Sequence, residues 1–404
     1  AIDVRIELDA GAFAAGGEAS DVVGTYQTLY RCPNVRAEQT SVHTNLGPAI
    51  AFRAPGYAEA AFALESAMDR LARELDMDPI ELRLRNYAEV NQQNGKPYTS
   101  PDSLRKCYEV LKNRFSIRKD EIRTEKLQNE RDRETPNSPR LRGIGFAAHD
   151  WAAGAGHPPA QARVELGEDG GATVVTGTQD IGTGTRTALA QIAAEELGIA
   201  VSKVEVRLGD TDANLISPTS AGSSTLPSLG PAVRDAAASA KSRTGGLGER
   251  GPNPSGKSVR TCGAQIAEVE VDTETGEVTV LRIVTAHDCG RVINPALVDS
   301  QVYGGVTQGL GFGLLEERIV DPALGQVLNA NLEDYLVPTA EDLPDIGNAT
   351  ESMPDLEANI IGAKGIGEPP FIPTAPAIAN AIYDAIGVRV RDLPITSAKV
   401  LAAL

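Results

Sequence analysis

The sequence predicts an α+β fold with mixed or antiparallel sheets and packed helices. Three observations point there. Segments of strand-like alternation are interleaved with segments of helical spacing. The strand-like segments connect mostly through short hairpin turns, which disfavours a doubly wound parallel sheet. Glycine (40) and proline (25) are plentiful while aromatic residues make up only 4%, a balance that suits tight turns and backbone-lined sites.

Residues 3–9 alternate polar and apolar like a half-buried strand. A long irregular stretch is expected next, through Cys32-Pro33-Asn34 and Asn45-Leu46-Gly47-Pro48. Phe52-Arg53-Ala54-Pro55-Gly56 reads as a turn opening a helix, on which Ala61, Leu64, Met68, Leu71 and Leu75 recur at helical spacing. Asp78-Pro79-Ile80-Glu81 starts a second helix, with Asp as cap, Pro in the first position and Glu in the third. Residues 114–140 are highly charged and end in Pro136-Asn137-Ser138-Pro139, which predicts an exposed linker. The domains are accordingly expected at 1–140 and 141–404.

Beyond that boundary, Ala162–Leu166 and Ala172–Thr176 read as strands joined at Glu168-Asp169-Gly170-Gly171. A helix from Thr185 to Leu197 stops at Gly198, and Val204, Val206 and Leu208 alternate as a strand. Residues 241–260 look like a flexible loop. Ala264–Val271 and Val278–Val284 form a hairpin around Glu274-Thr275-Gly276, and two apolar helices lie near 298–317 and 374–386.

A net charge of -17 argues against nucleic acid, because phosphate binding needs clustered Lys and Arg. No apolar run approaches the roughly 20 residues that span a bilayer, so no membrane partner is expected. Ala1-Ile2-Asp3-Val4-Arg5-Ile6 reads as the middle of a strand rather than as a signal peptide. The expectation is a fragment, a processed product or one half of a split subunit. Cys32, Cys107, Cys262 and Cys289 never form a Cys-x-x-Cys pair, which disfavours iron–sulfur clusters and structural zinc in this chain. A reducing, cytoplasmic location is expected, or a periplasmic one if a partner subunit carries the export signal. The four histidines (His43, His149, His157, His287) show no metal-ligand spacing, so no protein metal ligand is proposed.

Four segments carry candidate chemistry. Gln179-Asp180-Ile181-Gly182-Thr183-Gly184-Thr185 precedes a helix, where glycines admit a ligand to the backbone and the helix start favours an anion; a plain tight turn reads equally well. The hydroxyl run from Ser217 to Thr225 could bind phosphate or pterin heteroatoms, or be a solvated loop. Asp288-Cys289-Gly290-Arg291-Val292-Ile293-Asn294-Pro295 leads into a glycine-rich helix with Gln301 and Gln308 on one face, suited to close packing or to a polar ligand. Gly362-Ala363-Lys364-Gly365-Ile366-Gly367-Glu368-Pro369-Pro370 sets one acid between a glycine arm and two rigid prolines. Such a loop can bury a carboxylate and raise it toward a general base, or leave an exposed Glu in a turn.

Together, and in this order, these segments resemble the large subunit of the molybdenum hydroxylases, the xanthine dehydrogenase/aldehyde oxidase family. The resemblance covers nearly the whole chain and implies duplicated molybdenum-cofactor-binding domains. It implies cofactor contacts at Gly182, Thr183, Gly184, Gly222, Ser223, Ser224, Thr225, Gln301, Lys364 and Gly365. Gly222 would lie close to the metal. Glu368 would be the base that takes a proton from the metal-bound hydroxide, and Arg53 would orient the substrate and stabilise developing negative charge. The substrate class is an aldehyde or aromatic N-heterocycle, hydroxylated with oxygen from water. The cofactor is molybdenum–molybdopterin; Ala54-Pro55-Gly56 leans toward bacterial aldehyde-oxidising members and hence toward the cytosine-dinucleotide form. Electrons would leave through an iron–sulfur subunit and an FAD subunit.

Two departures qualify the resemblance. The family's upstream gating domain and first cofactor loop are absent from this sequence, and the stretch between Ala240 and Gly263 is short. The chain alone is therefore expected to be inactive. A non-catalytic pterin carrier or assembly subunit is the rival, and would lack the acid that Glu368 supplies. Carbon monoxide oxidation would need a cysteine-bearing loop near the metal, and Cys262 and Cys289 are expected to lie outside it.

Overall fold

A computed structural model describes residues 1–13, 22–131, 139–242 and 245–404. The chain opens with β1 (Ile2–Gly11), whose Ile2, Val4, Ile6 and Leu8 pack on the core as their alternation predicts. A short helix α1 (Gly24–Thr28) leads to β2 (Val35–His43), which pairs with β1 in parallel register. This strand falls where an irregular stretch was expected. Its inward positions turn polar after Ala37, and Gln39 there accepts the Val22 N–H at 3.2 Å, so no apolar alternation marks it.

Helix α2 (Tyr57–Glu74) begins at Gly56. Its buried face carries Ala61, Leu64, Glu65, Met68 and Ala72, while Leu71 and Leu75 are exposed. The stripe tilts because Glu65 is buried: it pairs with Arg83 at 2.8 Å and accepts from Tyr30 Oη at 2.5 Å and from the Ala148 N–H at 2.7 Å. Arg83 lies on α3 (Pro79–Arg85), where Asp78 Oδ1 caps the Ile80 and Glu81 amides as its motif predicts. A small hairpin, β3 (Val90–Asn91) and β4 (Lys96–Pro97), precedes α4 (Ser103–Arg131). That helix corrects the expected linker at 114–140. Leu104, Tyr108, Leu111, Phe115 and Ile122 form one buried stripe, so the charge density there belongs to a solvated helix face. Arg118 on it grips Glu268 with two bonds of 2.9 and 2.6 Å. The remainder of the expected linker, residues 132–138, lies outside the described residues.

In the second half β6 (Ala160–Leu166), β7 (Ala172–Thr176), α5 (Thr185–Leu197) and β8 (Val204–Leu208) fall where the sequence places them, while β5 (Arg140–Trp151) and α6 (Thr225–Ala240) are elements the sequence reading did not name. Next come β9 (Gly245–Arg250), β10 (Thr261–Asp272), β11 (Val278–Asp288), α7 (Pro295–Leu310), β12 (Asp345–Asn348), α8 (Thr374–Ile386) and α9 (Ser397–Ala403). The described strands make one four-stranded sheet in the order β12-β11-β10-β5 and another in the order β8-β7-β6-β9, besides the two small pairs. Hairpins β6–β7 and β10–β11 are antiparallel, but β7–β8 and β11–β12 pair in parallel. Strand β9 lies inside the expected loop of 241–260. A Cβ on Gly246 or Gly248 would stand 2.3 or 2.2 Å from carbonyls of α6, so these glycines let strand and helix touch.

Helix α8 packs against β5 and β10, while α4 meets the same sheet at β10 and β11. One apolar cluster joins Leu64, Tyr108 and Phe115 to Phe146, Ile266 and Ala286, so the core runs unbroken across the boundary at 140/141. Among the described residues no helix is long and apolar enough to cross a membrane.

Candidate active site

A cavity of about 940 Å³ opens where four loops meet. The first holds Phe52, Arg53 and Pro55 ahead of α2. The second runs from Ile181 to Thr185 at the start of α5, and the third from Ser220 to Leu226 at the start of α6. The fourth is Lys364–Glu368. Asn294, which caps α7, and Leu297 and Gln301 on that helix complete one wall. The sequence orders these loops by chain position only; the fold brings them to one place.

Local chemistry explains each loop. Asp180 accepts the Gly182 and Arg186 amides at 3.0 and 3.4 Å and so shapes the entry to α5. Gly222 and Ser223 both have positive φ, 63° and 59°, which is costly for the serine. Asn294 Oδ1 caps α7 at the Leu297 amide, 3.1 Å away. A Cβ on Gly365 would lie 2.0 Å from the Ser223 carbonyl oxygen, so the third and fourth loops touch backbone to backbone. Trp151 at the end of β5 supports them: its Nε1 donates to the Gly222 carbonyl at 3.1 Å.

Glu368 is half-buried at the cavity wall. Its Oε2 accepts from Ser223 Oγ at 2.8 Å and its Oε1 from the Ala54 N–H at 3.3 Å. Burial lifts its pKa above the ordinary 4.5, opposed by the Ser223 hydroxyl, the Ala54 N–H and the Arg53 charge. The result is a carboxylate in a sheltered site, a proton acceptor more basic than a surface glutamate.

Arg53 is heavily bonded to the protein. Its Nε donates to the Gly367 carbonyl at 2.7 Å, Nη1 to Gln308 Oε1 at 2.8 Å and Nη2 to the Gln301 carbonyl at 3.0 Å, with a further Nη2 bond to Gly367. Arg53 lines the cavity, but most of its guanidinium fork is bonded to protein, chiefly to the loop that ends in Glu368. Burial brings its pKa down to about 10, which leaves it cationic at neutral pH.

Of the residues named above, Gly182, Thr183, Gly184, Gly222, Ser223, Thr225, Gln301, Gly365 and Glu368 line the cavity. Ser224 is not in the wall. It is fully buried and its hydroxyl donates to the Ala221 carbonyl at 2.7 Å, closing its own turn. Lys364 contributes to the wall, but its side chain is fully buried in an ion cluster with Asp288. Cys289, expected outside, lines the wall, and burial pushes its thiol up to about 12. Sequence reading missed Trp151, while Arg291 and Asn294, which also line the wall, fall within the third candidate segment without having been singled out. The chain's one tryptophan was a usable signal for Trp151.

The donor set indicates what the cavity can hold. The N-terminal turns of α5, α6 and α7 all border it, and helix starts favour anionic groups. Hydroxyls and backbone amides outnumber charged side chains. Among the described residues no group of three His, Cys, Asp or Glu could ligate a metal. The residues present thus fit an anionic, heteroatom-rich organic group.

Comparison with known proteins agrees. Residues 118–251 and 248–344 match one molybdopterin cofactor-binding domain, and residues 1–87 match another. A putative xanthine dehydrogenase molybdenum-binding subunit XdhA of Escherichia coli is 32% identical over 96% of this chain and 58% of its own length. The aldehyde oxidoreductase molybdenum-binding subunit PaoC of Escherichia coli is also 32% identical, over 96% of this chain and 57% of its own. This chain thus spans little more than half the length of these relatives. Among solved structures, the aldehyde oxidoreductase of Desulfovibrio desulfuricans superposes with a TM-score of 0.83 at 27% identity, covering 100% of this chain and 47% of that one. The chain belongs to the molybdopterin cofactor-binding domain family, with molybdenum-binding subunits of xanthine dehydrogenases and aldehyde oxidoreductases among its relatives.

Proposed function

We propose that this chain is the cofactor-binding, catalytic part of a molybdenum hydroxylase that oxidises an aldehyde or an aromatic N-heterocycle with oxygen drawn from water. The observation that carries this reading is the Glu368 carboxylate, held at the wall of a cavity bordered by three helix N-termini. When bound, the molybdenum–pterin group would supply the oxygen-transferring and electron-accepting chemistry. The chain supplies placement and proton handling. Gly182, Thr183, Gly184, Ser223, Thr225, Gln301 and Gly365 would hold the group through amides and hydroxyls, and Gly222 would leave room beside it. Glu368 would accept a proton at Oε1, whose contact with the Ala54 amide is the longer of the two. Arg53 would fix the Gly367 carbonyl and so the direction of the carboxylate.

The finer assignments belong to the same reading. A cytosine-dinucleotide pterin is supported by the Ala54-Pro55-Gly56 turn. An iron–sulfur subunit and an FAD subunit would carry electrons away, since the cysteines of this chain are far apart in sequence. The upstream part of a large subunit would complete the site, in keeping with the 58% coverage of a relative. The two domains would divide at 140/141 while sharing the apolar cluster that crosses it, and the assembled enzyme would be cytoplasmic, or periplasmic if a partner subunit carries an export signal. A non-catalytic carrier is disfavoured because such a protein has no use for a buried, strengthened base.

The test is metal analysis of the purified full-length complex, identification of the released nucleotide, and dye-linked turnover with aldehydes and N-heterocycles. Molybdenum, a pterin cytosine dinucleotide and turnover are expected. A pterin-loaded complex that oxidises neither substrate class would overturn the catalytic reading.

A further inference from the structure

Lys364 stands four residues before Glu368, in the loop that carries the base. Its ammonium lies in a buried cluster. Nζ donates to Asp288 Oδ2 at 2.5 Å and to Ser100 Oγ at 2.9 Å, and lies 3.6 Å from Asp355 Oδ2. Both carboxylates are themselves fixed. Asp288 Oδ1 accepts the Gly290 amide at 2.8 Å. Asp355 Oδ1 accepts the Ala358 amide at 3.1 Å, and its Oδ2 the Thr99 hydroxyl at 2.7 Å. Three segments distant in sequence therefore converge on one ammonium: the end of β11, the turn at Asp355, and the residues ahead of α4. The main chain is held at the same place. Lys364 N donates to the Cys289 carbonyl at 2.7 Å and Gly365 N to the Gly154 carbonyl at 3.0 Å.

A cation buried among carboxylates is held firmly, because withdrawing it would leave uncompensated charge in a low-dielectric interior. The loop it belongs to reaches Glu368 through Gly365 and Gly367, residues with little stiffness of their own. A fixed point is needed upstream of such a glycine arm if the carboxylate is to keep one position. Arg53 provides the second point, at the Gly367 carbonyl.

We propose that Lys364 is a positioning residue for Glu368: its ammonium, locked by Asp288, Asp355 and Ser100, fixes the path of Gly365–Glu368 along the cavity wall. This inference rests on the reading of Glu368 as the base. Lys364 holds the protein that holds the reactants, and its side chain contributes nothing to cofactor affinity.

The test uses Lys364→Met, with Lys364→Arg and Asp355→Asn beside it, in the full-length enzyme with its partner chains. Two readouts are taken. In cofactor-free enzyme, hydrogen exchange of the Gly365–Glu368 amides should speed up at least ~10-fold in Lys364→Met while β10 is unchanged. In loaded enzyme, molybdenum content and KM should hold, kcat should fall ~10–100-fold, and the acid limb of kcat/KM should move to higher pH. The limb moves because a displaced loop gives up the Ser223 bond and the nearby Arg53 charge, both of which favour the ionised carboxylate. Lys364→Arg should recover part of both effects. If Lys364→Met does not accumulate as folded protein, Asp355→Asn carries the same test, with smaller effects in the same directions. Unchanged loop exchange with an unchanged acid limb overturns the proposal. So does loss of cofactor with unchanged exchange, which would assign Lys364 to the cofactor. The exchange measurement involves no turnover, so it can fail or succeed independently of whether Glu368 is the base.

Discussion

Ser223 and Glu368 form a closed pair: the serine Oγ donates to Glu368 Oε2 at 2.8 Å and accepts the Glu368 main-chain N–H at 2.8 Å. One hydroxyl thus ties the carboxylate to its own backbone and fixes its direction. It also favours the ionised form, against the burial that raises Glu368. The serine does this from a backbone with φ of 59°, where an L-residue costs on the order of 1–3 kcal/mol. A residue kept there at that cost is kept for its hydroxyl.

Ser223→Gly separates the two effects. Glycine accepts the positive φ without strain, so global stability should change little or rise. Glu368 loses its strongest stabilising bond, so its pKa should climb further. The acid limb of the kcat/KM profile should shift upward in pH, while kcat on the alkaline plateau falls by less than about tenfold, one hydrogen bond's worth. Rate–pH profiles of both enzymes check this, and an unmoved acid limb would show that the Ser223 bond does not govern the base.

Arg53→Lys keeps a positive charge but removes the fork that reaches Gly367, Gln301 and Gln308 together. The expected result is a loss of about 10²-fold in kcat, a few kcal/mol of transition-state stabilisation, with KM nearly unchanged and molybdenum retained. The pH profile should shift as well, because the Glu368 loop is released. A rise in KM alone would mean that the guanidinium faces the substrate, as the motif by itself implies.

Gly365→Ala and Gly182→Ala form a contrasting pair. At Gly365 a Cβ would meet the Ser223 carbonyl at 2.0 Å, a backbone atom that cannot swing aside. The variant should lose about 1–3 kcal/mol, the usual cost of overpacking, together with most of its activity. At Gly182 no atom lies within 4 Å of the added Cβ, and the penalty is confined to a φ of 93°. That variant should fold nearly normally, and any defect should appear in cofactor content. Thermal melts and metal analysis on both proteins distinguish the cases; equal destabilisation would contradict the geometry.

The helix-opening loops were legible in the sequence because their signals are local. Gly184 before Thr185, Asp78 before Pro79 and the hairpin around Gly276 each carry their structural reason within a few residues. What was illegible depends on partners far along the chain. Arg53 and Gly367 are 314 residues apart, and nothing near Arg53 says that its donors will be taken. Lys364 sits in a motif that implies cofactor contact, yet its charge is met by Asp288 and Asp355, whose side chains give no sign of facing inward. Ser224 lies in the same loop but its side chain turns away from the cavity, since a helix entry turns successive side chains in different directions. Strand β9 and the later turns of α4 were hidden by composition: glycines there mark close packing against α6, and charges mark an exposed helix face.

Glu368→Gln tests the central assignment twice. Gln keeps the size of the side chain and can accept the Ser223 bond, but it cannot carry negative charge or take a proton at neutral pH. In fully loaded enzyme the reductive half-reaction should slow by roughly 10²–10⁴, about 3–5 kcal/mol of barrier. The second readout is stability, and its sign follows from linkage. Burial raises the folded pKa of Glu368 above the ordinary 4.5, so the folded protein binds this proton more tightly than the unfolded chain. The residue's contribution to stability is then greatest below the unfolded pKa and is lost as pH rises through the folded value. Glutamine has no such term. The Tm of cofactor-free Glu368→Gln should therefore match wild type in acid and exceed it at neutral pH, the gap opening above about pH 4.5. Near wild-type reduction by loaded mutant enzyme would remove Glu368 as the base. A mutant less stable than wild type at neutral pH would show the ionised carboxylate to be a structural bond rather than a charge held against its burial.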